Sequence, residues 1–136
     1  MSMQSQIAQT LVRVLPQVRA EIFFGGTIPG TAALAVGDNA FQDFLARNVN
    51  GFPGYTVLDG EGHWNGGGRW QGKERTRVLV IYGPNSAPFR AEIRKIARAY
   101  REEFDQDAVA LAFTPAAFYM EESDDMVAQK EEATAP

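Results

Sequence analysis

Seven consecutive residues, Thr76 to Tyr82 (TRVLVIY), constrain the fold more than any other stretch of the chain. In an extended chain successive side chains point to opposite faces. Here Val78, Val80 and Tyr82 make one apolar face, and Leu79 and Ile81 make the other. A strand apolar on both faces belongs in the middle of a sheet. The next segment of the chain supplies the cover. Gly83 to Ser86 is a turn, Ser86 or Ala87 caps, and Pro88 sits where a first helical turn tolerates it. Phe89, Ile93, Ile96, Ala97, Tyr100 and Phe104 then recur at helical spacing, with Arg90, Glu92, Arg94, Lys95, Arg98 and Glu102 on the wet side. This predicts a helix whose apolar stripe is core.

The remaining elements are read around this pair. Val18 to Gly26 (VRAEIFFGG) is a first strand, stopped by its two glycines. Residues 27–37 read as a loop with one extended segment. Asp38 reads as the cap of a helix running to Asn48 and burying Phe41, Phe44 and Leu45. Tyr55 to Leu58 is a second strand, leading into a glycine-dense loop, and Ala108 to Phe113 is the last strand. Ile7, Leu11 and Val14 predict an N-terminal helix ending at Pro16. Beyond Tyr119 the chain is acidic, without an apolar stripe, and reads as a disordered or weakly helical tail.

With the N-terminal arm (1–17) and the acidic tail (121–136) set aside, residues 18–120 give the order βαββαβ. This is an α+β, ferredoxin-like arrangement: a four-stranded antiparallel sheet with two helices on one face. A bare apolar face on the other side predicts a homo-oligomer, a dimer or a trimer.

Composition narrows the function classes. The 136 residues, 45% hydrophobic, suffice for one core. A net charge of -4 gives no overall footprint for a nucleic-acid polymer, and the lack of cysteine removes disulfides, thiolate metal sites and cysteine nucleophiles. No run approaches the roughly 20 apolar residues that span a bilayer, and the first residues lack the apolar core of a secretory signal. A cytoplasmic protein without membrane partners is expected.

The strings EIFFG, FQDFL, FPGYTVLDGEGHW, Glu74 followed by TRVLVIY, and IRKIARAYREEFDQDAV resemble family 3574 of the domain-of-unknown-function series, over about residues 20–113. The resemblance implies a ferredoxin-like domain and carries over no catalytic or binding residue. Against the family pattern, the loop GGGRWQGK is about one residue longer here. In topology alone, with a long loop between the second and third strands, the order is also similar to PII-like regulatory proteins. That resemblance implies trimers holding small ligands in clefts between subunits.

Candidate chemistry gathers in residues 59–77. The glycines of the loop allow the close backbone approach of a phosphate or nucleotide cradle, or simply a flexible hairpin connection. Trp64 and Trp70 can stack on a ring or plug the end of the core. Arg69, Lys73, Arg75 and Arg77 can bind phosphate, or form the solvated side of a strand, with Arg75 and Arg77 on one side. His63 beside Glu61 is the one pair suited to acid-base work near neutral pH, though no serine stands ready for activation. A metal would need Asp59, Glu61 or Glu74 with a single imidazole, so neither metal nor cofactor is expected. Glu74, at the mouth of the third strand, can pair with a loop arginine or form a structural salt bridge.

The leading expectation is a non-catalytic, oligomeric, PII-like module that holds a phosphorylated or nucleotide-like anion under the 59–75 loop. Trp64, Arg69, Trp70, Lys73, Glu74, Arg75 and Arg77 would line the site. One alternative is a small enzyme on a dimeric α+β barrel, with Glu61 and His63 as acid and base. Another is an adaptor that meets a protein through its bare sheet or its tail.

Overall fold

The computed structural model describes residues 17–29, 34–69 and 71–134. The expected N-terminal helix and Trp70 lie outside the described residues. The elements in chain order are β1 (Gln17–Gly25), β2 (Thr27–Ile28), β3 (Leu34–Ala35), α1 (Asp38–Asn48), β4 (Thr56–Trp64), β5 (Gly72–Pro84), α2 (Ala87–Glu103), β6 (Ala110–Ala116) and α3 (Asp124–Thr134).

Four strands form one antiparallel sheet in the order β4-β5-β1-β6. The TRVLVIY strand has a neighbour on each side, as its two apolar faces require. One face carries Val18, Ala20, Ile22 and Phe24 from β1 with Leu79 and Ile81 from β5. Phe41, Phe44 and Leu45 of α1, and Phe89, Ile93, Ile96, Ala97 and Tyr100 of α2, close over it. The fold is therefore a ferredoxin-like α+β sandwich with both core helices on one side. Tyr100 stands among aromatic rings, with centroids 4.4 Å from Phe24, 4.7 Å from Phe104 and 5.3 Å from Phe44. The helix stripe delivers it there.

Three boundaries differ from the sequence expectation. Asp38 is the first helical residue and its carboxylate is taken by arginines; Gly37 holds the cap position and has no side chain with which to cap. The second strand runs on through Gly60 and Gly62 to Trp64, because β5 reaches back to Gly72 and pairs with it throughout. Segment 27–37 contains the two short strands β2 and β3, which pair with each other. Part of the acidic tail is helical, as α3. At α2 the sequence reading holds: Ser86 is the cap and its Oγ accepts from the Phe89 N–H at 3.3 Å.

The face away from the helices carries Arg19, Glu21 and Phe23 of β1 beside Val78, Val80 and Tyr82 of β5, as their register and alternation dictate. The chain's own Phe118 stacks on Tyr82 there, with centroids 4.4 Å apart and planes at 15°. Part of the face expected to meet another subunit is thus occupied from within. Among the described residues no helix is long and apolar enough to cross a membrane.

Candidate functional site

Alternation along β5 divides its charged residues. Lys73, Arg75 and Arg77 point to the helix side of the sheet, and Glu74 points to the other. The side chains on the helix side are already engaged. Arg75 grips Asp59 of β4 with two bonds, Nε to Oδ1 at 2.7 Å and Nη2 to Oδ2 at 2.9 Å, and sends Nη1 to Asp38 Oδ1 at 2.9 Å. Arg77 is only 2% exposed. It donates to Asp38 Oδ1 at 2.8 Å and to the Val36 carbonyl at 3.0 Å, with its guanidinium carbon 4.7 Å from the centre of the Phe41 ring. Lys73 pairs with Glu61 at 3.1 Å. The arginines hold Asp38 and Asp59 below the usual carboxylate range, Arg77 acting most on Asp38 and Arg75 most on Asp59.

Arg69 goes elsewhere, to Asp105 and Asp107 in the turn between α2 and β6. Trp64 is half exposed and its Nε1 donates to the Gly67 carbonyl of its own loop at 2.6 Å. His63 is exposed on β4, in register with Lys73. Glu61 is exposed and bonded to that same lysine, so the pair sits on an open edge strand with no enclosing walls.

A second cluster forms at the end of the sheet where β1 passes into β2. Two glycines let β1 come close: a Cβ on Gly26 would stand 2.6 Å from the Arg75 carbonyl. The Gly26 N–H donates to that oxygen at 2.8 Å. Glu74 Oε2 accepts the Thr27 N–H at 3.0 Å. Gln106 Nε2 donates to the carbonyls of Thr27 at 2.9 Å and Phe104 at 3.0 Å. The free ends converge. The place a Gly25 Cβ would occupy is 2.7 Å from Glu74 Oε1 and 2.9 Å from Gln106 Oε1. The Tyr100 hydroxyl donates to the Gly25 carbonyl at 2.5 Å. Burial, more than any other cause, pushes that hydroxyl's pKa up; Arg77 opposes the shift, while Glu74 and Glu103 add to it.

Glu74 differs from the other acids of the sheet. Glu21, Asp59 and Glu61 each have an arginine or lysine partner, whereas Glu74, half-buried, has none among the described residues. The loop arginine proposed for it is held by Asp105 and Asp107 instead. No group of three or more His, Cys, Asp or Glu among the described residues is placed to hold a metal ion.

The sequence reading missed Thr27, Tyr100, Asp105, Gln106 and Asp107. Tyr100 was visible only as one apolar position in a stripe. The Asp-Gln-Asp run after α2 offered the one other signal, two acids flanking an amide in a turn.

A layered α+β domain with a polar cluster at one end of its sheet is the class these features define. The chain belongs to the family described as protein of unknown function (DUF3574), whose model matches residues 19–119. No curated protein matches it. Among solved structures it is similar to a phage SAM lyase in the apo state, with 18% identity and a TM-score of 0.53 over 76% of this chain and 92% of that one. It is also similar to a phage SAM lyase in complex with S-methyl-5'-thioadenosine, with 16% identity and a TM-score of 0.48 over 77% and 94%. At that identity the likeness is one of fold.

These findings overturn the non-catalytic, PII-like sensor. A solved structure that the chain resembles in fold is that of an enzyme, a lyase. The cations meant to cradle an anion are also spent: Arg69, Lys73, Arg75 and Arg77 each face carboxylates of this chain. Among the described residues of 69–77, no free basic patch is left to recognise a nucleotide or phosphate.

Proposed function

We propose that this chain is an enzyme that acts on a small molecule carrying a positive charge, at the end of the sheet where Glu74, Gln106 and Tyr100 meet. One observation carries the reading. Glu74 has one oxygen fixed by the Thr27 N–H at 3.0 Å and the other 2.7 Å from the place a Gly25 Cβ would occupy, which Gln106 Oε1 also approaches to 2.9 Å, with no cation of the described residues paired to it. A half-buried carboxylate without a counter-ion is an expensive arrangement, and such groups concentrate at functional sites. Held at one oxygen, it keeps the other ready to accept a substrate proton or to bond a substrate cation. Gln106 Oε1 adds a second acceptor and no charge, so the pair favours a donor or cation over an anion.

The enzyme alternative read from the sequence is kept, with its working group moved from Glu61 and His63 on the open edge to Glu74. The likeness in fold to a SAM lyase supports catalysis and makes S-adenosylmethionine the first substrate to try. That molecule bears a sulfonium and an ammonium group, the kind of charge that the site lacks. The test is incubation of the purified chain with S-adenosylmethionine, with its loss followed by liquid chromatography and mass spectrometry. Wild type consumes it and Glu74→Gln does not. Equal loss with and without protein, or equal rates in the two proteins, overturns the proposal.

A further inference from the structure

The tip of the β4–β5 hairpin is tied down chiefly by one residue. Gly67 and Gly68 have φ of 100° and 92°, the left-handed backbone that turns residues 65–69 back toward the turn between α2 and β6. Arg69 reaches that turn with five hydrogen bonds. Its N–H and Nε go to the two Asp107 carboxylate oxygens, both at 2.6 Å. Nη1 goes to Asp105 Oδ2 at 2.8 Å, and Nη2 to the Asp105 carbonyl at 2.8 Å and to Oδ1 at 3.2 Å.

The receiving turn is shaped for this grip. Helix α2 ends with the Gln106 N–H on the Arg101 carbonyl at 2.9 Å, which places Asp105 at φ 48°, where glycine is usual. Asp105 and Asp107 hold Arg69, while Gln106 between them reaches inward to Thr27 and the Glu74 cluster. The residues that hold the hairpin tip and the residue that joins the Glu74 cluster are consecutive in one turn.

We propose that Arg69, Asp105 and Asp107 form a clasp that keeps the tip, residues 65–69, closed on the turn that carries Gln106 of the Glu74–Gln106 cluster, and that opening this clasp admits the small molecule. What enters rests on the enzyme reading above; the clasp does not. Its partners are exposed, with 45% of the Arg69 side chain and 62% of the Asp105 side chain reached by solvent. Opening therefore breaks charge-assisted bonds without uncovering core, and salt weakens it. Trp64 keeps the tip folded on itself through Gly67, so it moves as a unit.

Hydrogen exchange read by mass spectrometry on the full chain tests this, at about 50 mM and about 500 mM sodium chloride. In Arg69→Ala, peptides covering 65–71 should exchange about tenfold faster, while those covering Thr27 stay protected. High salt should speed 65–71 in wild type and add nothing in Arg69→Ala. Asp105→Asn, which tolerates the left-handed backbone, should shift exchange in the same direction. Unchanged exchange in both variants, or a salt effect that persists in Arg69→Ala, overturns the clasp. Consumption of S-adenosylmethionine on the same samples separates the two proposals. A salt-gated tip in a protein that consumes nothing overturns only the enzyme reading. Consumption that Glu74→Gln abolishes and Arg69→Ala leaves untouched at limiting substrate overturns only the gate.

Discussion

Arg77 and Asp38 are joined at 2.8 Å across the boundary between core and solvent: the arginine side chain is 3% exposed and the aspartate side chain 73%. The aspartate brings a charge to the surface end of a buried guanidinium, so the ion pair is desolvated on one side only. Arg77 Nη1 donates to the Val36 carbonyl, and the guanidinium carbon lies 4.7 Å over the Phe41 ring. Together these contacts tie the start of α1 to β5.

Arg77→Ala should therefore lower stability by about 2–4 kcal/mol, from the orphaned carbonyl, the lost ring contact and the space left behind. Arg77→Lys should recover less than half of this, because an ammonium cannot fork between Val36 and Asp38 while lying flat on a ring. Urea midpoints at pH 7 decide it. A loss under about 0.5 kcal/mol for the alanine variant would show that the tie is not a structural one.

Tyr100→Phe keeps the aromatic cluster and removes one bond, to the Gly25 carbonyl. The expected cost is about 1–2 kcal/mol, since the carbonyl loses a partner in a partly buried setting. If Gly25 also positions Glu74 for turnover, consumption of substrate should fall more than stability does, with KM little changed. Equal, small losses in both would confine Tyr100 to packing.

Gly25→Ala tests the Glu74–Gln106 cluster directly. The added methyl would stand 2.7 Å from Glu74 Oε1 and 2.9 Å from Gln106 Oε1, so both side chains must give way. They are flexible ends, so the fold should survive with a loss of about 1 kcal/mol. Turnover should drop by about tenfold or more, because the displaced oxygens are the ones assigned to the substrate. An active Gly25→Ala enzyme would place the chemistry elsewhere.

Acid should weaken the fold through the arginine partners. Asp38, Asp59 and Asp105 are held below 3.8 chiefly by Arg77, Arg75 and Arg69 respectively. A carboxylate with a lowered folded pKa contributes stability that is complete above its unfolded pKa and is lost as pH falls through the folded value. These three should therefore give a plateau above about pH 5 and a decline below about pH 4. Denaturant titrations between pH 3 and 7 on wild type and the double variant Arg69→Ala, Arg75→Ala should show a shallower decline in the variant. Superimposable curves would assign the acid sensitivity to other groups.

The fold was legible where one physical signal dominated. Two apolar faces announced β5, and the stripe from Phe89 to Phe104 announced α2, because burial rewards both patterns regardless of the rest of the chain. Glycine misled at β4. Gly60 and Gly62 resemble loop residues, yet the pairing of Glu61 with Lys73 and of Asp59 with Arg75 carries the strand through them. The acid at position 38 resembled a cap because local rules see only neighbours, whereas its partners lie 37 and 39 residues away. The same blindness hid the site. Glu74 was singled out, but its isolation from any cation among the described residues, and the arrival of Gln106 and Tyr100 beside Gly25, are facts of the third dimension. The arginines invited a phosphate reading because their carboxylate partners are scattered along the sequence.

Among the described residues strand β4 has a hydrogen-bonding neighbour on one side only, and of its nine residues just Val57 and Gly62 are partly covered. Strand β1, between β5 and β6, is buried at every second residue. The sheet thus has a rigid centre and a yielding flank, and local opening begins where least apolar surface is given up. Asp59 and Glu61 ride on the yielding flank. When β4 frays, Arg75 loses one of its two carboxylates and Lys73 its partner, so the first breath of unfolding changes the charge at the mouth of the sheet before it disturbs the core.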